Sequence, residues 1–330
     1  MKRRFLNRLE ELKKNMKKPK LLEKIEERRY YSELDEIKIC KASEVITDGV
    51  LLLQGGAFRG VYTSGVTDFL MLNDINFKNV VGVSAGALNG ITYVSGDIGR
   101  AALMNLGHRH DPSWIGLKAL LDKDNNGIIG FSYAFGDFNK EYPIDESRLF
   151  DGKRNFIATA TCLEDGVNHY FKNDSKILYH GVMASASMPY ISKPVLINGK
   201  SYLDGGCYDS LPIDYVLDNF KNEKIVVVLT RHRGYRDQEL SNAIIRLNHT
   251  MYKKFPKFAS SLDNMNKVLN KDFDKIDELE KEGKIFAIAP SSPINISRLE
   301  GNMEKLGEVY KMGYNDAKNC YNDLIKFLEK

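Results

Sequence analysis

A serine flanked by two glycines is the first candidate for chemistry in this 330-residue sequence. Gly82-Val83-Ser84-Ala85-Gly86 follows an apolar run and opens a stretch of small residues. The G-x-S-x-G pattern is typical of a nucleophile elbow, in which glycines allow a sharp strand-to-helix turn that exposes the serine hydroxyl. Because so short a motif also arises by chance, its meaning depends on a strand before it and a helix after it.

A glycine-rich loop is the second candidate. Gly55-Gly56-Ala57-Phe58-Arg59-Gly60 follows a short apolar run and precedes a helical pattern. Consecutive backbone N–H groups in such a loop can converge on an anion at the positive end of a helix. The anion could be a phosphate or the oxyanion of a tetrahedral intermediate. The loop lacks the Gly-Lys-Ser/Thr of a P-loop, and Ala57 breaks the G-x-G-x-x-G dinucleotide pattern.

A serine nucleophile needs a base, and the third candidate is an aspartate. Asp204-Gly205-Gly206 follows an apolar pair, whereas none of the six histidines lies in a comparable glycine-rich context. Asp209 is a weaker candidate because it lacks the flanking glycines. An aspartate has an ordinary pKa of about 3.9, so the site would have to raise its basicity by burial or placement.

Two strand–turn–helix units must position the first two motifs. Strands are predicted at 50–53 and 79–83, and helices at 59–72 and 87–94. This alternation is typical of an α/β domain with a largely parallel sheet. The pattern also predicts paired strands at 156–162 and 167–171, a helix at 177–187, a hairpin at 195–203, strands at 225–230 and 285–289, and mainly helical segments at 236–283 and 298–328.

The composition excludes several classes of protein. With 43% hydrophobic and 28% charged residues, the chain has ordinary globular values, and its net charge of +4 argues against a dedicated nucleic-acid binder. The four cysteines show no metal-ligand spacing, so reduced thiols and no metal are expected. The acidic loop 122–127 lacks the glutamate of an EF-hand, because position twelve is Tyr133.

The charge is concentrated in a basic N-terminal arm. Residues 1–30 carry a side-chain charge of +7, and subtracting this from +4 leaves −3 for the rest. The arm has an amphipathic helical pattern, and a second helical stretch is predicted at about 21–37. Such a helix could pack on the body of the protein, which we favour, or lie on an anionic membrane surface. No signal peptide or membrane span is evident, so we expect a cytoplasmic protein, with peripheral contact at the inner face of the membrane as the second interpretation.

Taken together and in this order, the three motifs resemble the patatin-like phospholipase family over about residues 48–217. The stretch 184–189 and Pro212 extend the resemblance. It implies a three-layer α/β/α fold around a largely parallel sheet, with an arm at 1–47 and a mostly helical C-terminal region at 218–330 packed on it. It also implies that Ser84 is the nucleophile and Asp204 the base that activates it.

The resemblance further implies the supporting residues of the site. The amides of Gly55, Gly56 and Ala57 would form the oxyanion hole, with Arg59 near its rim. Ala57 departs from the family pattern, which has glycine there, and alanine is suitable only if the backbone φ is negative. Motif-supporting residues are Arg59, Gly60, Gly82, Gly86, Gly205 and Gly206.

The implied activity is hydrolysis of carboxylic esters of lipids, of the phospholipase A or lysophospholipase type, through a Ser-Asp dyad and an acyl-enzyme. An acyltransferase or thioesterase using the same residues is an alternative, as is a catalytically silent membrane-surface protein. The expected partner is a lipid or another acyl ester, with no cofactor, no metal and no nucleic acid. The sequence does not indicate an oligomeric state.

Overall fold

A computed structural model describes residues 29–123, 125 and 127–329 of the chain. Its centre is an eight-stranded sheet in the order β10-β9-β2-β3-β5-β8-β7, with β6 also paired to β5. Two further strands, β1 and β4, form a separate antiparallel pair. The ten strands are β1 Cys40–Lys41, β2 Thr47–Leu53, β3 Phe77–Val83, β4 Asp97–Ile98, β5 Asn155–Cys162, β6 Asn168–Lys172, β7 Val195–Ile197, β8 Lys200–Asp204, β9 Ile225–Val228 and β10 Ile285–Ile288.

Helices cover both faces of this sheet. The α-helices in the described residues are α1 Gly60–Leu72, α2 Ala85–Val94, α3 Arg100–Gly107, α4 Leu117–Leu121, α5 Phe138–Glu141, α6 Glu146–Leu149, α7 Ile177–Ser185, α8 Ile213–Asn219, α9 Asn242–Met251, α10 Pro256–Lys281, α11 Met303–Asn319 and α12 Tyr321–Glu329. Short 3₁₀ turns lie at Leu34–Glu36, Ala57–Arg59 and Gly205–Cys207, and a π-helical turn lies at Tyr133–Asp137.

Burial explains why the central strands are continuous apolar runs. Strands β10, β9, β2, β3 and β5 are mutually parallel, while β6, β8 and β7 add antiparallel pairings. Along β2, Leu51 and Leu53 face one core cluster with α1, α2 and α11, whereas Val50 and Leu52 face another with α8 and α10. A strand buried on both faces needs apolar residues at every position. The expected α/β/α arrangement with a mostly parallel sheet is therefore present.

The predicted element boundaries are close to those observed, with one correction near the N-terminus. Residues 29–37 were expected to end a charged helix, but they contain only the 3₁₀ turn Leu34–Glu36. Buried Tyr31 and a hydrogen bond from Ser32 Oγ to Glu304 (2.7 Å) attach this segment to α11, so tertiary contacts override helical periodicity. Residues 1–28, which make up most of the basic arm, lie outside the described residues.

Helix α11 of the C-terminal region crosses helix α1 at close range. A Cβ at Gly65 of α1 would overlap the carbonyl oxygen of Tyr310, and one at Gly313 of α11 would overlap that of Tyr62. Only glycine allows such an approach of two helix backbones. The Tyr310 hydroxyl also donates to buried Asp68 at 3.0 Å. Helix α11 therefore packs directly against α1, although the predicted division into an arm, a catalytic domain and a C-terminal region stays a prediction.

Replacing Gly313 with alanine is expected to lower the free energy of unfolding by about 2 to 3 kcal/mol, because overpacking would separate α1 from α11. Urea unfolding measures this change. Gly136 is the matched control, because a methyl group there meets open space. Equal stability of Gly313→Ala and Gly136→Ala would show that the helix crossing is not tightly packed.

In the part of the chain that the structure describes, no helix is both long enough and apolar enough to span a bilayer. Cytoplasmic location and peripheral membrane contact stay predictions.

Candidate active site

Ser84 lies at the sharp turn between β3 and α2. Its backbone angles are φ 54° and ψ −121°, a conformation that costs a non-glycine residue of order 1–3 kcal/mol. Gly82 and Gly86 allow the turn, since a Cβ at Gly82 would overlap the carbonyl of Gly86 and one at Gly86 would overlap that of Leu53. The predicted strand–serine–helix context of the elbow is therefore present.

A second serine holds the elbow in place. The Ser84 N–H donates to Ser185 Oγ at 2.8 Å, and Ser185 Oγ donates in turn to the Thr159 carbonyl at 2.6 Å. Ser185 is fully buried at the end of α7. Sequence reasoning did not select this residue, although it lies in the 184–189 stretch that extends the family resemblance. Its hydroxyl stabilises a strained turn and leaves the Ser84 side chain free to point elsewhere.

The Ser84 hydroxyl meets the predicted aspartate. Ser84 Oγ donates to Asp204 Oδ2 at 2.6 Å, and the Gly206 N–H donates to Asp204 Oδ1 at 2.8 Å. Burial raises the pKa of Asp204 to about 6, although these two hydrogen bonds and the charge of Arg298 oppose the rise. Gly205 has no room for a side chain because the Thr159 carbonyl lies against it. A carboxylate of this basicity beside a serine hydroxyl can accept its proton.

The competing bases do not reach Ser84. Asp209 Oδ1 accepts the Leu211 N–H at 2.8 Å. The group beside the Asp209 carboxyl is the carboxyl of Asp272 in α10. Among the described residues, no histidine lines the cleft that contains Ser84. His108, for example, contacts the Tyr133 hydroxyl at 2.8 Å.

The glycine-rich loop presents two amides rather than the three that were expected. The Gly55 N–H donates to the Ser210 carbonyl at 3.1 Å, so it is committed to holding the loop. The N–H groups of Gly56 and Ala57 have no partner among the described residues. A Cβ at Gly56 would overlap the side chain of Thr230, and a Cβ at Gly60 would overlap that of Ala85. Of the three amides, those of Gly56 and Ala57 are therefore the ones left able to donate to an oxyanion, and the oxyanion hole stays a prediction.

Ala57 has a positive φ of 49°, which corrects the expectation that alanine is suitable only with a negative φ. The left-handed region is open to glycine and costs an L-residue roughly 1–2 kcal/mol. This explains why the family pattern has glycine at this position. The chain therefore carries backbone strain both at Ala57 and at Ser84.

Replacing Ala57 with glycine is expected to raise the free energy of unfolding by up to about 1 kcal/mol. Relief of the left-handed strain exceeds the entropic cost of a glycine, which is roughly 0.5–1 kcal/mol. Urea unfolding tests this against Ala101→Gly, an ordinary helical position that should lose about 1 kcal/mol. The strain argument fails if both variants are destabilised equally.

Ser84 lies where two cavities meet. The first, which we call the polar cleft for its charged groups, contains the Ser84–Asp204 pair and the glycine-rich loop, with Thr230, Asp237 and three arginines: Arg59, Arg231 and Arg298. Apolar side chains, among them Leu262, Met265 and Leu269, also line it. The second, the apolar groove, begins at Ala57 and Ser84 and is lined mainly by apolar side chains: Val61, Leu88, Trp114, Ile115, Ile129 and Met188. An ester whose carbonyl is at Ser84 could therefore place an apolar chain on one side and a polar group on the other.

Arg59 lies in the polar cleft, as its motif position predicted. Sequence reasoning missed Thr230, Arg231 and Arg298. Thr230 Oγ1 donates to the Gly55 carbonyl at 2.8 Å, and the Thr230 N–H donates to Gln54 Oε1 at 2.7 Å, so it fixes the loop from the end of β9. These residues belong to no motif, and only the fold brings them to the site.

One group of possible metal ligands occurs in the described residues, away from Ser84. The ligand atoms of Cys162, Asp165 and His169 lie within 4.8 Å of one another. Asp165 already accepts from His169 Nε2 at 2.9 Å and lies 3.7 Å from Lys200 Nζ. These contacts satisfy the carboxylate without an ion, and the expectation of no metal stays a prediction. The acidic loop that does not match an EF-hand is only partly described, because Asp124 and Asn126 lie outside the described residues.

Comparison with known proteins decides the family. The model of the patatin-like phospholipase family matches residues 51–217, which include all three motifs. The chain belongs to the patatin-like phospholipase family. Residues 255–329 of this patatin-like protein match a second model, a domain of unknown function named DUF6363. Family membership supports lipid ester hydrolysis as the general activity.

Similar proteins of known sequence cover most of this patatin-like protein. The uncharacterized protein YjjU of Escherichia coli K12 is 23% identical over 269 residues, which span 80% of this chain and 74% of that protein. The probable lipid hydrolase 463L of Invertebrate iridescent virus 6 is 26% identical over 259 residues, spanning 70% and 89%. The crystal structure of VipD from Legionella pneumophila aligns with a TM-score of 0.48 and 13% identity, covering 89% of this chain and 70% of that one.

Proposed function

We propose that this protein is a serine hydrolase that cleaves carboxylic esters of lipids, of the phospholipase A or lysophospholipase type. The observation that carries the proposal is the 2.6 Å hydrogen bond from Ser84 Oγ to the buried Asp204 carboxylate at a strained elbow. Family membership and the viral relative, a probable lipid hydrolase, support the same general activity. The apolar groove that begins at Ser84 has the lining an acyl chain requires.

In the first half of the proposed reaction, Asp204 accepts the Ser84 proton as Oγ attacks the ester carbonyl carbon. The carbonyl oxygen becomes an oxyanion, and the amides of Gly56 and Ala57, which have no partner among the described residues, would donate to it. The tetrahedral intermediate then expels the alcohol, which takes the proton from Asp204, and an acyl-Ser84 ester remains.

In the second half, Asp204 removes a proton from water, and the resulting hydroxide attacks the acyl-Ser84 carbonyl. The same two amides stabilise the second oxyanion. Collapse of this intermediate releases the fatty acid and returns the proton to Ser84 Oγ. A single carboxylate therefore acts as base in both halves, which requires it to be ionised whenever the reaction begins.

The pH dependence follows from the raised pKa of Asp204, about 6. We expect kcat/KM for an uncharged ester to be constant above about pH 7 and to fall tenfold per unit below about pH 6, because protonation removes the base. A pH–rate profile with an inert buffer series measures this. A profile whose acid limb is centred near pH 4, the ordinary value for aspartate, would contradict the assigned environment of the base.

Labelling with a fluorophosphonate tests the proposal directly, since this probe reacts with activated serines. We expect one adduct per chain, mapped by peptide analysis to Ser84, with no reaction in heat-denatured protein. The Ser260→Ala variant is a matched control, because Ser260 is exposed on α10 and bonds only within its helix at 3.0 Å. Labelling of any other serine at the same rate would overturn the assignment of the nucleophile.

A further inference from the structure

Three arginines line the polar cleft. Arg59, Arg231 and Arg298 all line it, and none forms an ion pair with a carboxylate in the described part of the chain. Arg59 Nε is buried and has no hydrogen-bond partner there. Burial, together with the charges of Arg231 and Arg298, lowers the pKa of Arg59 to about 10. Three like charges in one cleft repel one another unless an anion lies between them.

The two carboxylates that line the cleft offset only part of this charge, because three arginines face them and Asp237 acts on Arg59 without an ion pair among the described residues. Asp204 is committed to Ser84 and the Gly206 amide. Asp237 also lines the cleft, but its carboxylate accepts from the Tyr235 hydroxyl and its N–H donates to Asn270 at 2.8 Å. The guanidinium of Arg231 stacks on the Tyr235 ring, 4.1 Å from its centroid, which leaves the N–H groups at its edge free to bind.

Hydrogen bonds fix the backbone segments that carry Arg231 and Arg298. Arg231 follows Thr230, whose hydrogen bonds hold the glycine-rich loop. Beside Arg298, the carbonyls of Leu299 and Glu300 accept from Arg109 at 2.9 and 2.7 Å, and Arg109 stacks 4.8 Å from the centroid of Phe58 in the same loop. The backbone that carries these two arginines is therefore held in position, which reduces part of the entropic cost of binding a ligand.

We propose that Arg231 and Arg298, with Arg59, bind the phosphate of a glycerophospholipid substrate while its acyl chain lies in the apolar groove. This inference rests on the proposed function and adds the substrate's polar group to it. Guanidinium groups match the geometry of phosphate oxygens, and an acyl ester of glycerol phosphate carries a phosphate a few bonds from the reacting carbonyl. Both cavities include Ser84 and Arg298, so they adjoin at the nucleophile, and one lipid could extend into both.

Two soluble substrates that differ only in phosphate provide the test. Dihexanoylglycerol and its phosphate monoester are compared below their micellar concentrations, so that a lipid surface plays no part. We expect the wild-type protein to have a higher kcat/KM for the phosphorylated ester. Arg231→Gln and Arg298→Gln should each reduce this preference about tenfold, which corresponds to one charge-assisted contact.

Arg236→Gln is the matched control, because it removes the same charge five residues from Arg231. Arg236 pairs with Asp274 and Asp277 at 2.6 and 3.0 Å and does not line the cleft. Its preference ratio should equal that of the wild-type protein. The ratio is the readout because removing Arg298 also changes the field at Asp204, which alters both substrates alike. If the ratio is near one in the wild-type protein, or unchanged in both cleft variants, the phosphate site is wrong.

A binding experiment on the Ser84→Ala protein distinguishes failure of this proposal from failure of the proposed activity. Calorimetry would compare the phosphorylated ester, the neutral ester and inorganic phosphate, each with and without Arg231→Gln or Arg298→Gln. If the wild-type protein hydrolyses neither ester while the Ser84→Ala protein binds the phosphorylated ester in an arginine-dependent way, the hydrolase is overturned and the phosphate site stands. Arginine-dependent binding of inorganic phosphate alone, with equal binding of both esters, would show a free-phosphate site and overturn the head-group assignment.

Discussion

Replacing Ser84 with alanine is expected to reduce acyl-ester hydrolysis by at least about 10⁴-fold without unfolding the protein. Loss of a nucleophile removes the covalent route, and residual rate then comes only from binding and the oxyanion hole. The fold should survive because the Ser84 N–H, not its hydroxyl, bonds Ser185 and holds the elbow. Product release from dihexanoyl phosphatidylcholine, with circular dichroism as the fold check, measures both effects.

Ser260→Ala again supplies the control for serine loss as such, and it should keep the wild-type rate. The Ser84→Ala protein must be purified apart from any host esterase, because a trace contaminant sets the floor of the assay. Fluorophosphonate titration of the preparation counts any labelled contaminant. A Ser84→Ala rate within tenfold of the wild-type rate, at zero labelling, would remove Ser84 from the mechanism.

The site's backbone framework could be predicted from sequence because its signals are local. A strand buried on both faces must be apolar throughout, so β2, β3 and β9 were recognisable from short runs of branched residues. The turns after β2 and β3 need glycine, and those glycines mark where Ser84 and the proposed oxyanion amides lie. Asp204 was found by its own glycines, not by any contact with Ser84, which is 120 residues earlier.

The rest depends on contacts that no local pattern encodes. Thr230 was predicted as the last residue of a strand that ends two residues earlier, and its hydroxyl instead fixes the glycine-rich loop. The commitment of the Gly55 amide to Ser210 and the left-handed φ of Ala57 also depend on tertiary packing. Arg231 and Arg298 belong to no sequence motif. They come near Ser84 only when β9 pairs with β2 and α11 packs against α1.

At the Asp204 carboxylate, the requirements of catalysis and of stability are opposed. Asp204 is fully buried, and ionising it inside the fold is unfavourable, as its raised pKa of about 6 indicates. Relative to an ordinary value near 3.9, that rise corresponds to roughly 3 kcal/mol of stability lost at pH 8. The loss is fully present above about pH 6 and disappears as the pH falls towards 4, where the unfolded chain also binds the proton.

Asp204→Asn is therefore expected to reduce hydrolysis by about 10³ to 10⁴-fold and at the same time to stabilise the fold by about 1 to 3 kcal/mol at pH 8. The amide keeps the volume and still accepts from Gly206, but its NH₂ donates to Ser84 Oγ instead of removing the serine proton. Activity assays and urea unfolding at three pH values from about 4 to 8 measure both changes.

Asp209→Asn separates the two effects, since burial also raises the pKa of Asp209 to about 6 but this residue does not contact Ser84. We expect it to gain stability above pH 6 while keeping the wild-type rate. If Asp204→Asn and Asp209→Asn lost activity equally, the base would not be Asp204. If neither gained stability with rising pH, burial would not control the basicity of Asp204, and its pKa of about 6 would need another cause. If both variants gained stability and only Asp204→Asn lost activity, the Asp204 carboxylate would be assigned to catalysis, because stability alone would favour its removal.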